Sequence, residues 1–194
     1  ALLVSEENLP TALIAKSQRG EVVAPVATIP EKPSFNLSQI EVIEVKEGGV
    51  GDRVCVDLTS MLELGEGMLV GSSANSMVFV HGETVESEFV PTRPFRVNAG
   101  AAHSYILKAD GSTSYLSELK MGDEIMVLSE SGTSRSAVVG RIKIERRPFI
   151  LFRWRDEKHN EAHVLMQQAE TVRVLDNNGG ACSVTELRTG DVII

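Results

Sequence analysis

From Ile40 onward the sequence alternates short apolar runs with glycine-bearing turns, and this pattern constrains the fold most. Residues 40–45 and 54–58 alternate apolar and polar side chains, as half-buried strands do, whereas residues 77–80 are continuously apolar. Further strand-sized runs follow at 96–98, 105–107, 125–128, 137–144, 149–154, 163–167 and 172–175. Gly48-Gly49, Asp110-Gly111, Ser131-Gly132 and Asn178-Gly179 punctuate them. Asp-Gly and Asn-Gly reach positive φ at little steric cost, which tight hairpins require. The pattern predicts a mainly β protein of short antiparallel strands. These strands are expected to form one or two small barrel- or sandwich-like modules, covering residues 39–128 and 129–194.

An internal echo supports repeated β architecture. Residues 108–125 align without a gap on residues 176–193, an offset of 68 that superposes Gly111 on Gly179 and Gly122-Asp123 on Gly190-Asp191. Residues 62–70 are a weaker third copy. The repeated element reads as a turn in which Gly and an acidic residue open a new strand, so Glu118 and Asp123 are expected to form turns rather than do chemistry.

The first 38 residues differ in character. Residues 1–18 read as a strand and a short helix with Pro10 in its first turn, and Pro25, Pro30 and Pro33 make the following stretch extended. This region is expected to be an α/β remnant with a linker. Both chain ends resemble interrupted strands, which suggests a piece of a larger polypeptide or a need for a partner. A net charge of −8 argues against nucleic-acid binding. No apolar run approaches the roughly 20 residues of a membrane-spanning helix. Cys55 and Cys182 cannot build a disulfide framework, which fits a reducing compartment such as cytoplasm or plastid stroma.

Charged residues interrupt several strand-like runs. Arg96 and Asn98 share one face of a strand, with Arg93 close by, and guanidinium forks bind carboxylates bidentately. Solvated strand positions explain the same spacing equally well. Lys143, Glu145 and Arg147 alternate on one face within a locally basic stretch, suited to an anionic ligand or to a salt-bridged sheet surface. His81 and His103 are possible general bases, or structural hydrogen-bonders. The Gly-rich stretch 48–54 does not open a helix, so it is not a dinucleotide-binding βαβ turn, and a β-turn or bulge is the simpler account. His159 and His163 fall in a polar hairpin region without a metal-binding motif, and no metal site is expected.

Residues 51–58, 65–72, 80–81, 93–100, 115–119 and 139–148 together closely resemble the C-terminal part of the 3-dehydroquinate synthase II family. The resemblance implies an NAD-dependent enzyme that converts an anionic amino-sugar acid, 2-amino-3,7-dideoxy-D-threo-hept-6-ulosonate, to 3-dehydroquinate. Under it, Arg93 or Arg96 would bind the substrate carboxylate and Asn98 its hydroxyls. His103 or His81 would move protons, and Lys143 and Arg147, with Glu145 on the same strand face, would contact an oxyanion or phosphates. Gly49, Gly51, Asp52 and Arg53 would be the cofactor candidates. Full members carry a substantial N-terminal domain, so either that domain or another subunit is an expected partner. The alternative is a non-catalytic β-module serving as a structural subunit of a larger assembly.

Overall fold

Two pairs of runs that read as separate strands are each one continuous strand. A computed structural model describes residues 34–87 and 90–194; the strand and helix expected in residues 1–18 lie outside them. Strand β1 spans Ile40–Leu58, and β8 spans Ser134–Asp156. They pair antiparallel from Ile40 opposite Asp156 to Leu58 opposite Val139. The stretch 48–51, expected as a turn or bulge, lies inside β1 as a bulge, where the register shifts between Glu47 and Val50. Such a bulge lets a strand bend without leaving the ladder. Gly48 is required there by contact: a Cβ on it would lie 2.4 Å from Leu165 Cδ2.

The remaining strands are shorter. In chain order they are β2 (Glu66–Ser73), β3 (Ser76–His81), β4 (Arg96–Ala101), β5 (Tyr105–Leu107), β6 (Thr113–Tyr115) and β7 (Glu124–Ser129), then β9 (Glu161–Gln167), β10 (Arg173–Leu175), β11 (Ala181–Ser183) and β12 (Val192–Ile193). They join in one antiparallel sheet whose main path is β11-β10-β3-β2-β7-β8-β1-β12. Off this path β4 pairs with β1, β9 with β8, and β5 with β2 and β6. The fold is mainly β as expected, but the sheet remains open instead of closing into barrels. The β1–β8 ladder ties residues before and after position 128 together along its whole length.

The main apolar cluster includes Val54, Val56, Met68, Phe152 and Trp154, all at or near zero exposure. The rings of Phe152 and Trp154 lie 5.7 Å apart. A smaller cluster gathers Phe79, Met126, Leu128 and Leu175. Because side chains alternate across a strand, the residues of β1 between these core positions point the other way. Those residues are Arg53, Cys55 and Asp57.

The internal echo is physically real. Lys108 bridges Ile125 and Asp176 bridges Ile193, so both copies close the same loop with the same pair of positions. In each, the acidic side chain after a positive-φ glycine accepts a hydrogen bond from the backbone N–H three residues earlier: Asp123 from Lys120 at 2.8 Å and Asp191 from Arg188 at 2.7 Å. The third copy repeats this with Glu66 and Glu63 at 2.9 Å, next to Gly65. Glu118 likewise accepts from the Tyr115 N–H.

Candidate active site

The polar face of β1 meets the polar faces of its two neighbours. Opposite Asp57 stand Arg96 on β4 and Arg141 on β8; opposite Cys55 stand Asn98 and Lys143; opposite Arg53 stands Glu145. Gly51 pairs with Arg147, which extends the same face by one step. Period-two alternation therefore places Lys143, Glu145 and Arg147 side by side, as their spacing suggests. On β4 a register shift at Val54/Cys55 inserts one extra residue, Ala99, so Asn98 and Ala101 face the same way although they are three apart. Gly100 carries this bulge at φ 120.

These strands floor a cleft of about 340 Å³, within the roughly 300–1,000 Å³ usual for small-molecule sites. Arg53, Arg96 and Asn98 line it from below, Lys143, Glu145 and Arg147 from β8, Arg93 and Glu83 from the segment between β3 and β4, and Gln167 and Glu170 from the end of β9 and beyond. A second groove of similar size, about 360 Å³, is lined mainly by apolar side chains such as Phe35, Leu37, Met77 and Phe79 and lacks such a cluster of cations.

Each carboxylate in this region is held differently. Asp57 is 4% exposed and accepts Arg96 Nε at 2.6 Å and Nη2 at 2.9 Å, with Arg141 Nε at 2.7 Å. Burial pushes its carboxyl upward, but the hydrogen bonds from Arg96 and Arg141 outweigh this and hold it below the usual carboxylate range. Glu145 sits among Lys143 at 3.2 Å, Arg147 at 3.1 Å and Arg53 at 2.5 Å, and the Lys143 contact leads in holding it low. Glu83, 6% exposed, receives a single long bond of 3.3 Å from Arg93 Nη1. Burial dominates there and raises its carboxyl above the ordinary value.

Among the described residues two buried polar atoms here have no partner, Arg53 Nε and Asn98 Oδ1. Asn98 Nδ2 donates to Gln167 at 2.9 Å, which fixes the amide across β4 and β9. Arg53 also contacts the Cys55 sulfur, and burial pushes the Cys55 thiol up to about 11. That keeps the sulfur uncharged at neutral pH.

The structure thus brings Arg53, Arg93, Arg96, Asn98, Lys143, Glu145 and Arg147 into one cleft, but not the histidines. His81 is buried; its Nε2 accepts the Gly65 N–H at 3.1 Å, so Nδ1 carries the proton and donates to the Gly82 carbonyl at 2.7 Å. Desolvation lowers its pKa and keeps it neutral. Both ring nitrogens are committed, one to the Gly65 turn and the other to the Gly82 carbonyl. His103 lies in a separate surface depression with Tyr105 and Tyr115, whose hydroxyls are 2.7 Å apart. Arg96 belongs to the cleft, but Asp57 occupies its fork. His159 adopts φ 64 in the turn from β8 to β9.

Gly49, Gly51 and Asp52 do not line the cleft, whereas Arg53 does. Gly51 is small because Phe149 lies 3.1 Å from where its Cβ would be, and Gly49 holds the bulge at φ 76. Gly49→Ala is therefore expected to cost about 1–2 kcal/mol of stability from its left-handed backbone alone. Nothing lies within 4 Å of the added methyl, so thermal unfolding is expected to register this backbone cost with no steric contribution.

Sequence spacing alone left Glu83, Asp57, Gln167 and Glu170 unassigned. For Asp57 a signal existed, since Arg53, Cys55 and Asp57 interrupt an apolar strand at every second position. Glu83 follows the end of a strand in an aperiodic segment, where no pattern marks it.

Among the described residues the fold and cleft define a mainly β domain with a cation-rich pocket. Residues 39–194 match the family described as 3-dehydroquinate synthase II C-terminal domain, and the chain belongs to that family. It is 51% identical over 162 residues to a 3-dehydroquinate synthase of Cenarchaeum symbiosum, covering 83% of this chain and 47% of that protein. A 3-dehydroquinate synthase of Methanosphaera stadtmanae is 45% identical over 84% of the chain and 45% of its own length. For that of Methanoregula boonei the figures are 43%, 94% and 56%. The chain spans about half the length of the curated relatives it matches. No solved structure matches it.

Proposed function

We propose that this domain carries the substrate-binding part of a type II 3-dehydroquinate synthase. The substrate class is an amino-dideoxy-heptulosonate, and the reaction is oxidative deamination followed by ring closure. The single observation that carries this reading is the convergence of Arg53, Arg93, Arg96, Lys143 and Arg147 on one cleft that also holds Glu83 and Glu145. Internal pairing answers part of this charge, because Asp57 serves Arg96 while Glu145 is shared by three cations. A surplus of positive charge remains for an external carboxylate. The competing role as a passive structural module accounts less well for it, since gathering like charges in one concavity costs energy unless an anion joins them.

In this reading Arg93 and Lys143 bind the substrate carboxylate, and Arg147 at the rim attracts it. Asn98, locked by Gln167, orients a hydroxyl. The same cations lower the energy of an enolate oxygen formed during ring closure. Arg96 keeps the floor in register through Asp57. Taking hydride from an amine-bearing carbon needs an acceptor, and NAD is the one we propose. An N-terminal domain or another subunit is the proposed partner. Among the described residues no helix is long and apolar enough to cross a membrane. A reducing compartment, cytoplasm or plastid stroma, suits the free Cys55 and Cys182.

The test is steady-state kinetics on the protein as its gene encodes it, following NAD reduction with the amino-sugar acid. Arg93→Ala and Lys143→Ala each remove a charge-assisted hydrogen bond of about 1.5–3 kcal/mol. Each is expected to raise KM about 10- to 100-fold. No turnover by the wild-type protein, or an unchanged KM in both variants, overturns the assignment.

A further inference from the structure

We propose that Glu83 is the proton-transfer residue of the cleft, a catalytic role that rests on the reaction assigned above. The first support is placement. Its main chain is locked on both sides: its N–H donates to the Arg96 carbonyl, and its own carbonyl accepts the Arg93 N–H, each at 2.8 Å. The side chain therefore enters the cleft from a fixed backbone position, as a group that must meet a reacting carbon requires.

The second support is the contrast among the acids of this region. Asp57 is saturated by two guanidinium groups, and three cations surround Glu145. Acids held this way are poor bases. Glu170 is exposed at the rim. Glu83 alone combines burial with a single long hydrogen bond, and among the described residues its second oxygen receives none.

The groups that face it are Arg93 from the segment before β4, Arg96 from β4, and Arg53 and Cys55 from β1, with Lys143, Glu145 and Arg147 of β8 and Glu170 lining the same cleft. Burial keeps the Cys55 thiol neutral, and the cations around Glu145 hold that carboxyl below its ordinary value. Within this set Glu83 is the carboxylic acid that burial moves above its ordinary value.

The step it performs balances as follows. The Glu83 carboxylate takes a proton from the methyl carbon next to the substrate ketone. The C–H electron pair forms a carbon–carbon double bond while the carbonyl π pair moves to oxygen, leaving an enolate and a neutral Glu83 acid. Arg93 and Lys143 stabilise the enolate oxygen. When the enolate carbon adds to the second carbonyl, the alkoxide that forms recovers the proton from Glu83, and the carboxylate is regenerated.

The experiment uses the same full protein and its Glu83→Gln and Glu83→Asp variants. Exchange of the substrate methyl protons in D2O is followed by NMR with NAD withheld, and kcat is measured against pH with NAD present. Wild-type protein is expected to accelerate exchange over buffer and to show kcat rising with pH along an acid limb. Glu83→Gln is expected to slow exchange and kcat by about 10²–10⁴-fold and to remove that limb. Glu83→Asp is expected to retain part of both. Because burial makes the charged form of Glu83 costly, Glu83→Gln should unfold no more readily than wild type, whereas the loss of a structural ion pair would lower its unfolding temperature. Exchange or an acid limb unchanged in Glu83→Gln overturns the assignment, as does wild-type exchange no faster than buffer. If wild-type protein forms no 3-dehydroquinate at all, the functional reading itself fails.

Discussion

Replacing Asp57 with alanine is expected to lower the unfolding free energy by about 3–5 kcal/mol, the cost of stranding a buried charge. Asp57 and Arg96 are 4% and 7% exposed, and removing the carboxylate leaves the Arg96 guanidinium in a dry floor without its bidentate partner. Arg141 is less affected, because it is exposed and water replaces what it loses. For a domain of this size the loss corresponds to about 2–4 °C in Tm per kcal/mol. Chemical denaturation at neutral pH measures it directly. The pH dependence adds a second check. Because the folded protein holds this carboxyl below its ordinary value, the associated stability is present above the ordinary carboxylate range. It disappears as pH falls through the depressed folded-state value. The gap between wild type and Asp57→Ala should therefore narrow in acid; a gap that stays constant, or a loss under about 1 kcal/mol at neutral pH, contradicts the buried-pair account.

Gly100→Val is expected to be nearly as damaging, at about 2–5 kcal/mol, from backbone strain and overpacking together. Its φ of 120 lies where side chains with a Cβ rarely go, and a Cβ there would stand 2.9 Å from the Leu165 carbonyl oxygen. Valine adds branching at that same atom. Relief requires β4 to move away from β9, and the Asn98–Gln167 hydrogen bond spans that junction. Loss of substrate affinity should accompany the loss of stability. Thermal unfolding and a substrate titration on one preparation test both, and full retention of either property counts against the bulge as the device that aims Asn98.

Much of this was legible in the sequence, for identifiable reasons. Strand periodicity correctly gathers Lys143, Glu145 and Arg147, because alternation across a strand survives any tertiary context. The Gly-Asp repeat is a local hydrogen-bonded turn and is equally readable. Residues 48–51 were readable as a turn or bulge but not as the interior of one long strand, because Gly48 and Gly51 answer to Leu165 and Phe149, side chains far along the chain. The histidines mislead in another way. Imidazole chemistry suits proton transfer anywhere, and what commits His81 elsewhere is the Gly65 amide, a contact made by folding. Glu83 was invisible because its character arises from burial against Arg93, Arg96 and Cys55, none of which is a helical or strand-spaced neighbour.

The extra residue at Ala99 has a consequence for how this segment can change length. Because Ala99 has no partner on β1, dropping that one residue would return the strand to plain alternation, with Arg96, Asn98 and Ala101 still aimed where they are. A single-codon deletion at that spot should therefore spare the orientation of the chemistry, and loss of one residue is the length change this stretch is built to absorb.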